Sequence, residues 1–249
     1  MEQIELQKRI ADLAQRCARK NCVTNTAFLT PAEYFPLESG RFYTEDVTVF
    51  LFGGTEESER KVAFFLPPYW EEAEFDAEET IKAVKIRSFF GTPGHRDYLG
   101  ALLGLGIERD RIGDIFIFDD LAYVFCLSTV CEMILHELDK VGRISVKTEQ
   151  VSLAQVPPPV RKVKKLSFTV KSLRLDAVTG DLFGMSRTSA AELIRLGAVT
   201  LNYSVCEKTD AAIKEGDVLS VRGKGKGRIV QVGGRSRKDR LFVEAEIYL

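Results

Sequence analysis

Three consecutive prolines, Pro157-Pro158-Pro159, divide this 249-residue chain into two parts. Proline fixes φ and lacks a backbone N–H, so such a run cannot continue a helix or a central strand and favours an extended spacer. The two parts also differ in charge. Residues 1–156 carry 17 Lys and Arg against 26 Asp and Glu, whereas residues 157–249 carry 18 against 10. The chain must therefore fold as an acidic body joined to a basic segment, which is typical of a polyanion-binding module on a carrier.

The composition favours a cytoplasmic globular protein without a metal or cofactor. Hydrophobic residues make up 45% of the chain, which is enough for two domain cores. No apolar run approaches the ~18 residues that a membrane helix needs, and the start of the chain lacks the apolar stretch of a signal peptide. The five cysteines form no CxxC pair and the two histidines lie far from any cysteine pair. We therefore expect reduced, buried cysteines, no metal site and no membrane partner.

The spacing of apolar residues in the acidic part predicts an α+β fold. Residues 1–44 are expected to form an N-terminal helical region, with a second helix after the capping-box sequence Thr30-Pro31-Ala32-Glu33. Residues 45–154 mix strand and helix patterns, which predicts one sheet backed by helices. The strands are expected at 46–53, 61–66, 81–89, 114–118, 121–126 and 144–151, and the helices at 95–105 and 129–140.

A Pro-rich linker over 155–160 leads to a C-terminal domain over 161–249. There the pattern predicts two short helices, 172–181 and 187–196, a hairpin around Asn202-Tyr203 and a strand over 218–221. Residues 221–240 hold eight Lys and Arg against one acid, with glycines interleaved. That density favours polyanion binding, and a flexible solvated loop is the alternative.

The C-terminal domain contains a pattern similar to a known RNA-binding module, the S-four or αL-motif domain. The matching residues are Arg174-Leu175-Asp176, Ser186-Arg187, Ala190, Leu193-Ile194, Gly197, Val199, Leu201-Asn202 and Gly216-Asp217. Tyr203 departs from this pattern, because glycine is commonest there. An aromatic residue is acceptable at that position if its φ stays negative.

The whole chain resembles the bacterial YlmH family, both in the order of its parts and in the segments 95–115 and 222–249. The resemblance implies N-terminal helices, a middle domain like an RNA-recognition motif and a small C-terminal αL-motif domain. It further implies association with ribosomal RNA of the large subunit, with tRNA or peptidyl-tRNA nearby. The implied role is ribosome-associated quality control or rescue of stalled translation.

The candidate RNA-binding residues belong to the C-terminal domain. Arg187 lies in a first helical turn, where free N–H groups favour phosphate and a guanidinium adds a bidentate donor. Pairing with Asp176 or Glu192 on the surface is the alternative for Arg187, and Asp176 is expected to orient Arg174 or to cap its helix. The full set is Arg174, Ser186, Arg187, Thr188, Arg195, Asn202, Lys208, Arg222, Lys224, Lys226 and Arg228. The module lacks an aromatic-rich surface for stacking single-stranded bases, so we expect structured RNA as its ligand.

In the middle domain, six phenylalanines could form a base-stacking platform, although core packing is the stronger interpretation. They are Phe50, Phe52, Phe64, Phe65, Phe89 and Phe90. The acidity of this domain also argues against extensive RNA contact there.

Catalysis is not expected. The sequence Gly91-Thr92-Pro93-Gly94-His95 is similar to a switch segment of translational GTPases, but no G-x-x-x-x-G-K-[ST] loop accompanies it. Residues 174–180 resemble the nucleophile motif of pseudouridine synthases, yet too little chain follows for that catalytic fold. We therefore expect a monomeric, non-catalytic RNA-binding protein. The alternatives are an RNA-modifying enzyme and a protein-interaction adaptor.

Overall fold

The structure, a computed structural model, describes residues 3–38, 47–70, 75–159, 163–236 and 238–248. The chain divides into two compact units, residues 1–159 and 160–249. The division falls at the proline run. Leu153 and Val156 are buried in the core of the first unit, so the extended segment begins after them and not at residue 155 as predicted. Residue 160, the end of the predicted linker, lies outside the described residues.

The first unit mixes helices and strands. Its helices are α1 (Gln3–Lys20), α2 (Pro31–Glu38), α3 (His95–Gly104) and α4 (Ser128–Glu137). Its strands are β1 (Thr24–Leu29), β2 (Thr48–Phe52), β3 (Lys61–Leu66), β4 (Ile81–Ser88), β5 (Ile112–Phe118), β6 (Leu121–Leu127), β7 (Lys140–Val141) and β8 (Ile144–Val151). Glu33 accepts a hydrogen bond from the Thr30 N–H at 2.7 Å, as the capping-box pattern predicts. The α4 helix instead begins after Leu127 without a side-chain cap.

A three-stranded antiparallel sheet, in the order β1-β3-β2, joins the N-terminal region to the strands that follow it. Strand β1 was not predicted from the sequence, because Thr24–Leu29 is a short run with two threonines and an asparagine. This strand makes residues 1–44 more than a helical region. The predicted domain boundary at 44/45 therefore does not separate two domains, because β1 and β3 on either side of it belong to one sheet. Residues 44 and 45 themselves lie outside the described residues.

The second sheet of this unit has the order β5-β6-β4-β8-β7 and is antiparallel. Its main elements follow one another as β4-α3-β5-β6-α4-β8. This is the β-α-β-β-α-β arrangement of ferredoxin-like folds, which RNA-recognition motifs share. Both helices pack on one face of the sheet, where Val84 and Ile86 meet Tyr98, Leu102 and Ile134.

The three-stranded sheet covers the other face. Phe64 points from β3 into this sheet-on-sheet core with Phe28 and Phe125. The next residue, Phe65, points the opposite way and packs against α1 around Ile10, because side chains alternate along a strand. Four layers result: α1 with α2, the small sheet, the larger sheet, and α3 with α4. The face that an RNA-recognition motif would use for base stacking is therefore inside the protein.

The second unit is one antiparallel sheet with two helices. Its elements are β9 (Val163–Val170), α5 (Leu175–Leu182), α6 (Arg187–Arg195), β10 (Val199–Leu201), β11 (Ser204–Val205), β12 (Val218–Val221), β13 (Gly225–Arg235) and β14 (Leu241–Tyr248). The strand order is β11-β10-β12-β13-β14-β9. Val178, Leu182 and Ile194 of the helices fill the core against one face of the sheet. Among the described residues of this unit, both helices lie on that one face of the sheet.

No described helix has the length and apolar character needed to cross a membrane. Across the same described ranges, no three His, Cys, Asp or Glu side chains come together as a metal site would require. The cysteines are free thiols. Cys17, Cys126 and Cys131 are buried as expected, whereas Cys22 is exposed.

Candidate nucleic-acid interface

The buried carboxylate of Asp176 joins the two helices of the second unit. Asp176 lies in the first turn of α5, and only 7% of its side chain is exposed. Oδ2 accepts from Nε and Nη2 of Arg187, at 3.1 and 2.9 Å. The same carboxylate accepts from Nε and Nη2 of Arg174, both at 3.3 Å. The predicted orienting role of Asp176 toward Arg174 is therefore present. Arg187 also forms the pairing with Asp176 that was expected from the sequence as the alternative to RNA binding.

This arrangement keeps positive charge at the surface. Burial alone would raise the pKa of Asp176, but the hydrogen bonds from Arg174 and Arg187 and their charge bring it below its ordinary value. One carboxylate faces two guanidiniums, whose side chains remain 38% and 59% exposed. The charge of a second carboxylate, Asp210, also acts on Arg174. The cluster therefore owes its suitability for a phosphate ligand to two exposed guanidiniums held in fixed orientations.

The start of α6 is brought to this cluster by close helix packing. A Cβ added at Gly180 of α5 would lie 3.1 Å from the carbonyl oxygen of Met185 and 3.6 Å from the backbone of Arg187. A glycine at this position therefore lets the two helices approach closely. Ser186 caps α6 by accepting a hydrogen bond from the Ser189 N–H at 3.0 Å, as predicted. Its hydroxyl thus has a structural role, while Thr188 is exposed.

The loop that follows β11 is hydrogen-bonded through its backbone to the start of α5. The backbone N–H of Leu175 donates to Ala211, and that of Asp176 donates to Thr209, both at 2.9 Å. Lys208, which precedes Thr209, is exposed. These bonds place Lys208 beside the Arg174 and Arg187 cluster although it lies more than thirty residues away from Arg174 in sequence.

Arg187 also lines a cavity of about 220 Å³ next to the cluster. Lys171 and Arg240 line the same cavity, with Asp181 as an acidic neighbour. The guanidinium of Arg240 donates to the Thr169 hydroxyl at 2.9 Å and to its carbonyl oxygen. Lys171 and Arg240 were not among the predicted site residues. The pairing of β9 with β14, in which Leu241 lies opposite Val170, brings Arg240 beside Lys171.

A second group of cations lies where α6 ends. Arg195 closes the helix eight residues after Arg187, a rotation of about 80° about the helix axis, so the two side chains lie on adjoining faces. The N–H of Arg222 donates to Ala198 at 3.0 Å, which joins the β12–β13 turn to the end of α6. Lys224 lies in that turn. Within the described ranges, no ion pair involves Arg195, Arg222 or Lys224, so this group is not neutralised internally.

The basic tract 221–240 does not form one patch. Most of it is strand β13, not the flexible loop considered as the alternative. Lys226 and Arg228 project from the open face of the sheet, whereas Gly227 faces α5, where Leu182 lies 3.1 Å from its would-be Cβ. Arg235 pairs with Asp239 at the other end of the strand. At about 3.3 Å per residue, the two ends lie roughly 30 Å apart. Arg237 is outside the described residues.

The Asn202-Tyr203 turn departs from expectation. Both residues have positive φ, 49° and 65°, so the condition that φ stay negative at Tyr203 is not met. Such a turn matches the twist of a two-residue hairpin, but the left-handed conformation costs a non-glycine residue about 1–2 kcal/mol. The amide of Asn202 is used internally: it donates to Asp217 at 2.8 Å and accepts from the Val218 N–H at 3.0 Å.

The structure thus brings together most of the predicted cations along two connected edges of the second unit. Arg174 and Arg187 meet at Asp176, and the backbone next to Lys208 is bonded to the start of α5. A backbone hydrogen bond joins the turn that holds Arg222 and Lys224 to the end of α6, where Arg195 lies. Ser186 and Asn202 hold these edges in place through internal hydrogen bonds.

The first unit offers a different surface. Phe50 and Phe52 are half-buried, and Phe64 and Phe65 are buried, which confirms core packing for these four. Phe89 and Phe90 are 54% and 85% exposed in the β4–α3 loop. A cavity of about 570 Å³ in the first unit is lined by arginines and by acidic residues in similar number, so it has no strong preference for an anion. The charged lining residues are Arg9, Glu33, Arg60, Glu108, Arg109, Asp110 and Arg111.

Comparison with protein families gives a match in the first unit. The model described as "Putative RNA-binding domain in YlmH" matches residues 71–155. These residues include all five strands of the larger sheet and both helices packed on it.

Two similar proteins extend the comparison. The "Ribosome-associated protein quality control protein P2" of Bacillus subtilis is 32% identical over 221 residues, which are 89% of this chain and 86% of that protein. The solved structure of "Cell division protein ylmH from Streptococcus pneumoniae" superposes with a TM-score of 0.54 at 19% identity. That match covers 62% of this chain and 94% of the other, and it shows similarity of fold.

Proposed function

The chain belongs to the YlmH family, and from this premise we propose that it is a non-catalytic protein that docks on structured ribosomal RNA through its second unit. The observation that carries the proposal is the convergence of Arg174 and Arg187 on the buried Asp176. Two exposed guanidiniums held by one carboxylate are preorganised for phosphate oxygens before any RNA arrives.

The names of a relative and of the matching family model support a docking role on the ribosome. The Bacillus subtilis relative is named for ribosome-associated quality control, and the family model is described as RNA-binding. We infer that this chain acts in the same process, on the large subunit and next to tRNA, as a cytoplasmic monomer. Its basic unit supplies the RNA contact, and its acidic unit contacts protein or acts as a spacer.

The geometry does not favour the pseudouridine-synthase alternative. A nucleophilic aspartate must present a carboxylate oxygen to the substrate. Both oxygens of Asp176 instead accept hydrogen bonds from arginines, and the side chain is nearly buried. The carboxylate therefore orients cations and leaves no open face for a nucleobase.

The test is a pair of matched substitutions in the full-length chain. Arg187→Gln removes one guanidinium from the cluster, and Arg16→Gln makes the same change on an exposed turn of α1. A charge-assisted hydrogen bond contributes about 1.5–3 kcal/mol, so we expect at least tenfold weaker binding of a ribosomal RNA stem for Arg187→Gln. Arg16→Gln should change it by less than twofold. Equal effects of the two substitutions would contradict the proposal.

A second measurement addresses the ribosome. The wild-type chain should sediment with large subunits in a sucrose gradient, and its crosslinks to ribosomal RNA should map to residues of the second unit. Arg187→Gln should reduce the fraction that sediments with the subunit. Crosslinks confined to the first unit would contradict the assignment of the contact.

A further inference from the structure

Three side chains that are distant in sequence meet on the open face of the second unit's sheet. The Nζ of Lys226 lies 5.5 Å from the ring centroid of Tyr203 and 5.1 Å from that of Tyr248. Tyr203 comes from the β10–β11 turn, Lys226 from β13 and Tyr248 from the end of β14. Each ring therefore lies within cation–π distance of the same ammonium group.

This cluster faces away from the helices. The Cβ position of Gly227, the neighbour of Lys226, faces Leu182 of α5. The side chain of Lys226 must therefore lie on the other face of the strand. Lys226 is paired with Ser220 of β12, and Val218 of the same strand is paired with Arg228. The open face near the tyrosines thus presents a hydroxyl and a second cation, Arg228, which lies opposite the carboxylate of Glu246 in the pairing of β13 with β14. Both tyrosines are half-buried.

The backbone at Tyr203 gives a second, independent observation. Tyr203 has a φ of 65°, which is a left-handed conformation that favours glycine. A bulky aromatic residue at such a position works against the stability of the turn. Residues kept in strained conformations cluster at functional sites, where the side chain is needed for a contact.

From these observations we propose that Tyr203, Lys226 and Tyr248 bind unpaired nucleotides of an RNA, with bases stacked on the tyrosine rings and phosphates on Lys226 and Arg228. The proposal rests on the proposed function, since it adds a single-stranded contact to the docking on structured RNA. Aromatic rings stack any base, and a neighbouring cation follows the backbone. Structured RNA docked along the helix edges would place its single-stranded flank on this face.

The proposed ligand therefore differs from the one expected from the sequence, since it includes unpaired nucleotides in addition to structured RNA. An aromatic surface was not apparent in the module, because Tyr203 and Tyr248 are separated by 45 positions in the sequence. The antiparallel pairing of β13 with β14, in which Gly227 lies opposite Ile247, brings Lys226 beside Tyr248.

The experiment compares two RNA probes on the full-length chain. One is a ribosomal RNA stem, and the other is the same stem with a single-stranded extension of five uridines. The extension should strengthen binding by the wild-type chain. Tyr248→Ala and Tyr203→Gly should each weaken binding of the extended probe by about tenfold, since base stacking contributes on this scale. Both variants should bind the stem without extension within twofold of the wild-type affinity.

Matched controls separate stacking from folding. Tyr203→Gly suits the left-handed turn, so its thermal midpoint should not fall by more than a few degrees, and Tyr203→Phe should retain the gain because the ring is kept. Phe242→Ala removes another exposed aromatic from β14 and should have no effect on either probe. Ultraviolet crosslinking of 4-thiouridine in the extension should map to Tyr203 or Tyr248.

The two proposals fail in different ways. If the extension adds no affinity, or if the tyrosine variants keep the gain, the single-stranded site is refuted. The docking proposal then still stands as long as Arg187→Gln weakens binding of the plain stem. If the wild-type chain binds neither probe, both proposals are refuted.

Discussion

The substitution Asp176→Asn changes the net charge of the second unit by +1 while removing the anion that orients Arg174 and Arg187. A purely electrostatic account predicts tighter RNA binding for this variant, because one more positive charge is available. An account based on oriented guanidiniums predicts weaker binding. The variant therefore separates the amount of positive charge from its placement.

The magnitude can be worked from the hydrogen bonds at the cluster. The bonds from Arg187 to Asp176 are 2.9 and 3.1 Å long, and bonds to charged groups contribute about 1.5–3 kcal/mol. Because the Arg187 side chain is 59% exposed, solvent screening reduces this figure to about 1–2 kcal/mol. For a unit of this size the thermal midpoint should fall by about 5–15 °C. If the loss of orientation of the guanidiniums costs about 1 kcal/mol of binding free energy, RNA binding weakens by about fivefold.

Two assays measure these effects. Circular dichroism follows unfolding of both units, while the fluorescence of Trp70, the one tryptophan of the chain, reports the first unit alone. RNA affinity is measured at a temperature where the variant is folded. Glu192→Gln is the control, since it makes the same change in net charge on exposed α6 without touching the cluster, and it should not weaken binding. An Asp176→Asn chain that binds RNA as tightly as the wild type would refute the reasoning.

Three further outcomes are expected. The pKa of Asp176 is lowered in the folded state, so the stability that its carboxylate gives to the fold should be complete above the unfolded pKa of about 3.9 and be lost as the pH falls below it. The thermal midpoints of the wild type and Asp176→Asn should therefore differ by a constant amount above about pH 5 and converge in acid. A difference between the two midpoints that persists at the lowest pH would contradict the assignment. Ser186→Ala removes the α6 cap and should cost about 1 kcal/mol, measured by chemical denaturation, with RNA affinity of the folded variant changed by less than twofold; a tenfold loss of affinity would make Ser186 a direct contact. Gly54→Ala places a Cβ 2.3 Å from the Phe125 ring at a φ of 109°, so the Trp70 transition should shift down strongly, and an unchanged transition would contradict the packing of the two sheets.

Local patterns in the sequence predicted those elements that local rules control. The strands over 61–66, 144–151 and 218–221 were predicted at their observed bounds, because they are runs of β-branched and aromatic residues with turn residues beside them. Ser186 was identified as a cap because serine before a helical pattern has one dominant use. Strand β1 was missed, since only its pairing with β3 makes Thr24–Leu29 a strand.

The site shows the same division between local and long-range information. Arg174, Asp176 and Arg187 belong to a recognisable motif, and their proximity could be expected from it. Lys171, Arg240 and the tyrosine pair could not be found this way, because each pair is brought together by strand pairing between segments that are separated in sequence. The charge density of the basic tract 221–240 favoured polyanion binding, but it did not show that an extended strand distributes these charges over two ends and an open face.

The most direct test of the docking proposal is the salt dependence of RNA binding by the full-length chain. If the cations of the second unit neutralise four to six phosphates together, the logarithm of the association constant should fall against the logarithm of salt concentration with a slope of about −3 to −5. The slope should become less steep by about one unit for Arg187→Gln. A flat response to salt would contradict the account, because it would mean that these cations do not contact RNA phosphates as a group.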